Sequence, residues 1–273
     1  MLCIDFHTHS IASHHATHTL DELLKHADQL GIKGLAVTDH SPDTDNTLFL
    51  AQNSMREADW QDLIRGPDAH YFKVFVDRYQ PYHSVNTRLF KGIECNIRGE
   101  GEPVVQIPLG LLDRFDVVIA SVHPLPNLFV TRDSLHVTER LLMAMDEPVD
   151  IIGHPFHKVF TTDVEKVVRT AAQKEIALEL NNSSLRLKKA EPDTIRKALM
   201  LARQFDCKIS LASDAHCAHE VASDDFIRPI LQDLSFPDEL IVNHSLEAAE
   251  CFVADRKEIR AERKIQIKNH LHQ

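Results

Sequence analysis

Near its N-terminus the chain carries Cys3-Ile4-Asp5-Phe6-His7-Thr8-His9, an apolar run that ends in two histidines one residue apart. Because side chains alternate between the two faces of a strand, an extended backbone places His7 and His9 on the same face. Two imidazoles on one face can bind one metal ion. A single His-x-His pair is weak evidence, but the same feature, an apolar strand that ends in His, Asp or Glu, recurs along the chain.

Six further apolar segments alternate with helical patterns. The clearest helix covers 20–30, where Thr19 is the predicted N-cap, Glu22 completes a capping box and Gly31 ends the helix. Short apolar strands that alternate with amphipathic helices indicate parallel β/α units with both sheet faces covered. The six further predicted strands are 34–38, 88–93, 116–122, 149–153, 176–180 and 208–213. The other predicted helices are 138–145, 164–174, 192–205 and 246–252.

Candidate reactive residues stand at the C-terminal ends of the predicted strands, where parallel β/α folds collect their functional groups. These residues are His7, His9, Asp39, His40, Glu94, His123, His154, Asn181, Asp214 and His216. A closed barrel brings those ends together, whereas an open doubly wound sheet spreads them along an edge. We therefore predict a single α/β domain over residues 1–273 that forms a TIM-like barrel of seven β/α units.

Two segments depart from the regular alternation. Segment 43–88 is longer than the usual connection in such folds, and we predict an insertion-like excursion over the active face. Segment 245–273 is predicted to be a helical tail with Ser245 as its N-cap. Its polar part beyond Asp255 is expected to be a surface helix or to be frayed.

Composition and charge exclude several classes of protein. The formal net charge of −11 comes from 41 acidic and 30 basic residues, which argues against an extended nucleic-acid or anionic-membrane surface. The 5 cysteines are widely spaced and form no C-x-x-C pair, so neither a disulfide framework nor a zinc knuckle is predicted. Because we find no signal segment and no membrane-spanning run, we expect a cytoplasmic protein.

Imidazole nitrogens and carboxylate oxygens without thiolates are donors that suit zinc, manganese or iron. The predicted strand ends supply more good ligands than one ion needs. We therefore predict two or three ions joined by a bridging carboxylate. Such a site can clamp the attacking and leaving oxygens in phosphoryl hydrolysis.

Six motifs resemble, in order and approximate spacing, those of the PHP family, the polymerase and histidinol phosphatase superfamily. They are His7-x-His9, Asp39-His40, Glu94, His123-Pro124, Gly153-His154-Pro155 and Ser213-Asp214-Ala215-His216. Segments 11–16 and 178–184 resemble, more specifically, the small stand-alone PHP phosphatases. This resemblance implies a distorted (β/α)7 barrel that holds three zinc ions.

The resemblance also implies nine metal ligands, all of them imidazoles or carboxylates. The first ion would be bound by His7, His9, Glu94 and Asp214, the second by the bridging Glu94 with His123 and His154, and the third by His15, His40 and His216. His14 and His18 are alternatives to His15 because they stand in the same loop. Asp5 and Asp39 are expected to orient neighbouring imidazoles rather than to bind an ion.

The predicted activity is hydrolysis of a phosphomonoester, with a small phosphorylated metabolite as substrate. A water or hydroxide that bridges two ions attacks phosphorus in line, and no covalent protein nucleophile is needed. Asp39 and Arg186 are the catalytic candidates, and Arg186 would bind the phosphate. Lys188, Lys189 and Arg98 are further candidates for phosphate binding.

Three alternatives compete with this prediction. A PHP-type phosphodiesterase or exonuclease is disfavoured by the acidic balance and by the lack of a basic channel with aromatic residues. Metal-dependent amide hydrolysis on a similar barrel usually relies on a lysine at a strand end, and no predicted strand ends in lysine. A non-catalytic metal-binding module would have lost ligands, and all nine are present. The sequence leaves the natural substrate and the oligomeric state open.

Overall fold

A computed structural model describes residues 1–42, 68–123 and 133–271 of this chain. Seven parallel strands pair in chain order, each with the next. They are β1 (Ile4–Thr8), β2 (Gly34–Val37), β3 (Arg88–Asn96), β4 (Val117–Ser121), β5 (Ile151–Gly153), β6 (Ala177–Asn181) and β7 (Ile209–Ala212). The backbone N–H of Asp214 donates to the carbonyl of His7, and that of His9 to Ala215, so the sheet is a nearly closed barrel. The predicted distorted (β/α)7 barrel is confirmed.

Helices follow most strands, and several of them pack on the outside of the barrel. They are α1 (Leu20–Leu30), α2 (Ala69–Asp77), α3 (Ser134–Ala144), α4 (Val164–Gln173), α5 (Asn182–Arg186), α6 (Pro192–Phe205), α7 (Arg228–Asp233) and α8 (Leu246–Leu271). Helix α1 begins with the predicted capping box between Thr19 and Glu22. Helix α3 begins earlier than predicted because the carboxylate of Asp133 accepts from the N–H of His136 and caps it there. None of the described helices combines the length and apolar composition that a membrane crossing requires.

The core has two apolar layers. The larger layer lies between the strands and the surrounding helices. The smaller layer fills the barrel interior and consists of Ile4, Phe6, Ala36, Phe90, Val117, Ile119, Ile151 and Ala177 from the strands, together with Val242, Ala249 and Val253. Since Ala249 and Val253 belong to α8, this helix closes the end of the barrel at which the strands begin. The opposite end, where the strands finish, is left for the polar residues.

The C-terminal segment corrects one expectation. Beyond Asp255 the described chain is a helix, as one alternative predicted, because α8 continues unbroken to Leu271, but it is not only a surface helix. Arg256 and Arg260 on this helix are 2% and 1% exposed, and both contact the carboxylate of Asp150 beneath the barrel. The sequence pattern alone could not reveal this, because arginines that bind a distant carboxylate resemble those of a solvated helix.

The predicted insertion-like segment 43–88 is described only in part. Residues 43–67 lie outside the described residues, as does Pro124 of the His123-Pro124 motif. The remainder contains α2, which packs its Phe72 and Phe75 into the outer apolar layer. The hydroxyl of Tyr71 on α2 donates to the carboxylate of Asp39 at 2.5 Å. This part of the segment therefore contacts the end of the barrel at which the strands finish.

Candidate metal centre

All nine predicted ligands converge at the C-terminal ends of the strands, and Glu94 lies at the centre of the cluster. The side chain of Glu94, which belongs to β3, is 1% exposed. Its two carboxylate oxygens approach ring nitrogens of five histidines, which are His40 (2.7 Å), His154 (3.2 Å), His7 (3.4 Å), His123 (3.4 Å) and His9 (3.6 Å). Histidines from the ends of four strands therefore meet around a single carboxylate of β3.

A register shift in β1 directs its histidines toward this cluster. Ile4 and Phe6 already point into the barrel, so strict alternation would turn His7 away from it. The pairing of β1 with β2 shifts between Asp5 and Thr8, and His7 and His9 both face the cluster. Their Nε2 atoms lie 3.0 Å apart, and each lies within 3.9 Å of the carboxylate of Asp214.

Two of the predicted ligands have left-handed backbone conformations that non-glycine residues rarely adopt. The φ angle is +30° at His154 and +56° at Asp214. Such conformations cost on the order of 1–3 kcal/mol each and persist where the surrounding structure enforces them, often at functional sites. Space is also tight beside His154, since a Cβ at Gly153 would lie 2.1 Å from the hydroxyl of Ser121.

Five of the histidines are held by oxygen atoms on the side away from the cluster. In each case Nδ1 has the oxygen partner: Glu179 for His7 (2.6 Å), Ser13 for His9 (3.0 Å), the Ser13 carbonyl for His15 (2.7 Å), Asn96 for His123 (2.7 Å) and the Asp214 carbonyl for His216 (3.1 Å). An oxygen acceptor at Nδ1 keeps the proton there and leaves Nε2 free to bind a metal ion. This arrangement is typical of histidine ligands.

Polar atoms at the centre of the cluster also fit a bound cation. Nδ1 of His40 and Oε2 of Glu94 are buried and lie 2.7 Å apart, but they are poorly aligned for a hydrogen bond. Buried polar atoms with poor hydrogen bonds are costly unless another group satisfies them. Burial raises the pKa of Glu94, but the surrounding imidazoles outweigh it and hold this pKa well below its usual range. The centre therefore presents an ionised carboxylate surrounded by imidazole nitrogens.

Burial keeps several of the imidazoles in their neutral form. It holds the pKa of His9 well below its usual range, helped by neighbouring imidazoles, and it lowers the pKa values of His15 and His40 to about 4. His7 differs, because burial lowers its pKa but nearby carboxylates, led by Glu179, outweigh burial and raise the pKa well above its usual range. Neutral imidazole is the form that binds a metal ion.

Three groups of donor atoms lie close enough together to share an ion. They are His7, His9 and Asp214; His40, Glu94 and His123; and His9, His40 and His216. The first group agrees with the ion site implied by the resemblance. The second group has His40 where the resemblance implies His154, and the third group has His9 where it implies His15. The ring of His15 lies 4.4 Å from that of His216 and 5.0 Å from that of His40, centroid to centroid.

A model of the PHP domain family matches residues 5–183 of this chain. The chain belongs to the PHP domain family. A probable phosphatase of Syntrophotalea carbinolica is 33% identical over 246 residues, covering 89% of this chain and 92% of the relative. A probable phosphatase of Caldicellulosiruptor saccharolyticus is 31% identical over 245 residues, covering 89% and 92%.

Among solved structures, the putative histidinol phosphatase hisK of Listeria monocytogenes has a similar fold. The TM-score is 0.57, the sequence identity is 16%, and the match covers 80% of this chain and 97% of that protein. At this identity the likeness supports the fold alone. The predicted membership of the PHP family is thus confirmed by sequence, and its barrel by structure.

The PHP domain has a cleft of about 670 Å³ over the ligand cluster, which is within the usual size for a small-molecule site. Of the four predicted phosphate-binding cations, Arg186 and Lys189 line this cleft, whereas Lys188 and Arg98 are not among its described lining residues. Arg186 is already paired with the carboxylate of Glu220 at 2.6 Å.

The two aspartates that were expected to orient imidazoles differ in their contacts. Asp39 accepts a hydrogen bond from the hydroxyl of Ser13, which in turn contacts His9, so Asp39 reaches that imidazole only through Ser13. Asp39 is 1% exposed and is not among the described residues that line the cleft. Asp5 accepts from Ser213 and Ala222 instead of an imidazole, and thereby joins β1 to the segment after β7.

Sequence reasoning did not identify Glu179 as part of the site, although the structure places its carboxylate against His7 and the backbone of His154. The available signal was a carboxylate in the middle of strand β6, between Leu178 and Leu180. Of the loop histidines, only His15 has its ring beside those of His40 and His216 among the described ring contacts. His14 and His15 are exposed and His18 is buried, and none of the three belongs to a donor group.

Proposed function

We propose that this PHP-domain protein is a metal-dependent phosphatase that hydrolyses phosphomonoesters of small metabolites. The site would hold two or three divalent ions, with zinc as the first candidate and manganese or iron as alternatives. The observation that carries the proposal is the position of Glu94, whose buried carboxylate lies within 3.6 Å of nitrogen atoms of five histidines. An ionised carboxylate among imidazoles suits a bridging ligand between cations.

The prediction that the chain is an enzyme is confirmed by its family membership together with relatives that are named probable phosphatases. The proposal goes further in naming the kind of ester, the number of ions and the residues involved. Its support is the donor set and the cleft above it, whose size suits a small phosphorylated metabolite.

The nine residues that would hold the ions are His7, His9, His15, His40, Glu94, His123, His154, Asp214 and His216. Bound divalent ions would act as Lewis acids toward the phosphate and make a water molecule more acidic. Arg186 and Lys189 would bind phosphate oxygens from the cleft wall. Glu220 would hold the Arg186 guanidinium in place, since its other oxygen accepts from the backbone N–H groups of His216 and Cys217. Asp39 would position His9 through Ser13.

The cleft gives less support to a phosphodiesterase or exonuclease. A channel for single-stranded nucleic acid normally combines several cations with aromatic rings on which bases stack. The described residues that line this cleft include two cationic side chains and no Phe, Tyr or Trp. We therefore keep the phosphomonoesterase as the proposal and use a nucleic-acid substrate as a comparison in its test.

The test combines metal analysis with turnover. The purified protein is stripped with a chelator, reloaded with zinc or manganese, and assayed on an aryl phosphate, a panel of phosphorylated metabolites and a short single-stranded DNA. We expect two or three ions per chain, activity on monoesters that chelation abolishes, and little cleavage of DNA. His7→Ala should remove activity, whereas His70→Ala, at a histidine whose side chain is 90% exposed on α2, should not. Activity that survives both chelation and His7→Ala would rule out the proposal.

A further inference from the structure

Strand β6 differs from the other six described strands because no predicted metal ligand stands at its end. It nevertheless directs two polar side chains, Glu179 and Asn181, toward the ligand cluster. They are two residues apart and therefore lie on the same face of the strand. Each is 3% exposed, although the strand around them is apolar. A buried carboxylate is costly unless hydrogen bonds compensate it, so its partners indicate its role.

Both carboxylate oxygens of Glu179 contact predicted metal ligands, and one of them also contacts Asn181. Oε1 lies 2.6 Å from Nδ1 of His7. Oε2 accepts from the backbone N–H of His154 at 2.8 Å and from the amide of Asn181 at 2.9 Å. The same Asn181 amide nitrogen donates to Oδ2 of Asp214 at 3.2 Å. Two side chains of β6 are thus joined to three predicted ligands.

We propose that Glu179 is a positioning residue that sets two metal ligands at once. By accepting from Nδ1 of His7 it keeps the proton on that atom, so that the lone pair of Nε2 faces the cluster. By accepting from the N–H of His154 it holds the backbone at a φ of +30°, a conformation that this residue would not adopt by itself. The inference rests on the proposed function, because it takes His7 and His154 to be ligands.

Glu179→Gln distinguishes this role from simple packing, because glutamine has nearly the same shape but only one acceptor oxygen. That oxygen would stay hydrogen-bonded to its two donors, the N–H of His154 and the amide nitrogen of Asn181. The glutamine NH₂ group would then face Nδ1 of His7 and favour the tautomer with its proton on Nε2. In that tautomer the atom that faces the cluster carries a hydrogen and competes with metal binding.

The experiment measures zinc affinity by competition with a chromogenic chelator, together with urea unfolding of the chelated protein. We expect Glu179→Gln to weaken zinc binding by about 10–100-fold, the usual effect of losing a hydrogen-bond partner of a metal ligand. In a His7→Ala background the same substitution should weaken binding much less, because one of its two targets is already absent. Glu147→Gln, at a half-buried carboxylate near the opposite end of the barrel, is the matched control and should leave zinc affinity unchanged.

Several outcomes separate failure of the inference from failure of the proposed function. If the wild-type protein binds no zinc, manganese or iron, the proposed function fails. If wild type binds zinc and folded Glu179→Gln binds it within twofold, only the role of Glu179 is overturned. Equal losses in the wild-type and His7→Ala backgrounds would also overturn it. Should Glu179→Gln not fold, Glu179→Asp retains the charge but not the reach, and unchanged zinc affinity in that variant would contradict the inference.

Discussion

The two ends of the barrel both bury charged groups, but they satisfy them in different ways. At the end where strands begin, the carboxylate of Asp150 is fully buried and contacts the guanidinium groups of Arg256 and Arg260. At the end where strands finish, the carboxylate of Glu94 lies among the imidazoles of five histidines. At the first end, two guanidinium groups contact one carboxylate, and at the second end, one carboxylate is surrounded by imidazoles.

The arginine end shows how a buried charge cluster can serve folding. Besides the two arginines, Asp150 accepts from the backbone N–H of Val118 at 2.8 Å. Arg256 also donates to the carbonyls of Glu175 and Val149, at 2.8 and 2.7 Å. Helix α8 is thereby tied to the starts of β4, β5 and β6. Such an arrangement holds the barrel together.

The comparison predicts that removing a charge mainly lowers activity at one end of the barrel and mainly lowers stability at the other. The largest expected effect is the loss of activity on substitution of Glu94. In Glu94→Gln, we expect phosphatase activity to fall by about a thousandfold or more, since metal ions contribute several kcal/mol to such reactions. In the chelated protein, the free energy of unfolding should change far less than it does in Asp150→Ala. Steady-state turnover and urea unfolding with a chelator present check both parts. A large loss of stability with activity retained would contradict the comparison.

Asp150→Ala tests the arginine end. It leaves two buried guanidinium groups without their carboxylate, and we expect a loss of about 3–5 kcal/mol in the free energy of unfolding. Activity per folded molecule should be unchanged below the melting transition, because the substitution lies at the other end of the barrel. The matched control is Asp113→Ala, which removes a 59% exposed carboxylate that pairs with Lys264 of the same helix. That variant should lose about 0–1 kcal/mol, and equal losses in both would show that burial is not the cause.

Removing the metal should cause the next largest loss of stability, and the size of this loss should not depend on the arginine end. A ligand present at about 100 times its dissociation constant stabilises the native state by about 2.7 kcal/mol, so chelation should lower the free energy of unfolding by about that amount. The same decrease should occur in Asp150→Ala, within about 0.5 kcal/mol, because the two sites share no partners. Urea unfolding of both proteins with zinc and with a chelator measures this. A markedly different decrease in the variant would show that the two ends are coupled.

Much of the fold and of the ligand cluster could be predicted, because both depend on local patterns. Strand ends in a parallel β/α fold meet at one edge, so His7, Glu94 and Asp214 could be grouped from their positions along the chain. The start of α1 followed from the Thr19 and Glu22 capping box. Each of these features is set by nearby residues or by the general geometry of β/α units.

The features that could not be predicted depend on contacts between distant residues. Nothing near Arg260 in the sequence reveals that it is buried against Asp150, and the pattern around it suggests solvent exposure. Glu179 was missed because its role arises from two partners on other strands. The register shift in β1 was also unforeseen, and without it His7 would point away from the cluster.

Asn243 joins the two strands that complete the barrel, and its loss should have the smallest of these effects. Its amide nitrogen donates to the carbonyls of Ile4 and Leu211, at 3.0 and 2.7 Å, and its oxygen accepts from the N–H of Leu211 at 2.8 Å. We expect Asn243→Ala to lose about 1–3 kcal/mol in the free energy of unfolding, because buried backbone groups are left unpaired.

Because β1 carries His7 and His9 while β7 leads to Asp214, Asn243→Ala also tests whether barrel closure supports the metal centre. If the backbone bonds near the ligands hold the strands by themselves, zinc affinity should stay within about threefold of wild type. Zinc competition and urea unfolding measure the two quantities, with the exposed Asn86→Ala as the control. If the free energy of zinc binding falls by more than the free energy of unfolding, the contact between β1 and β7 supports the metal site more than it supports the fold.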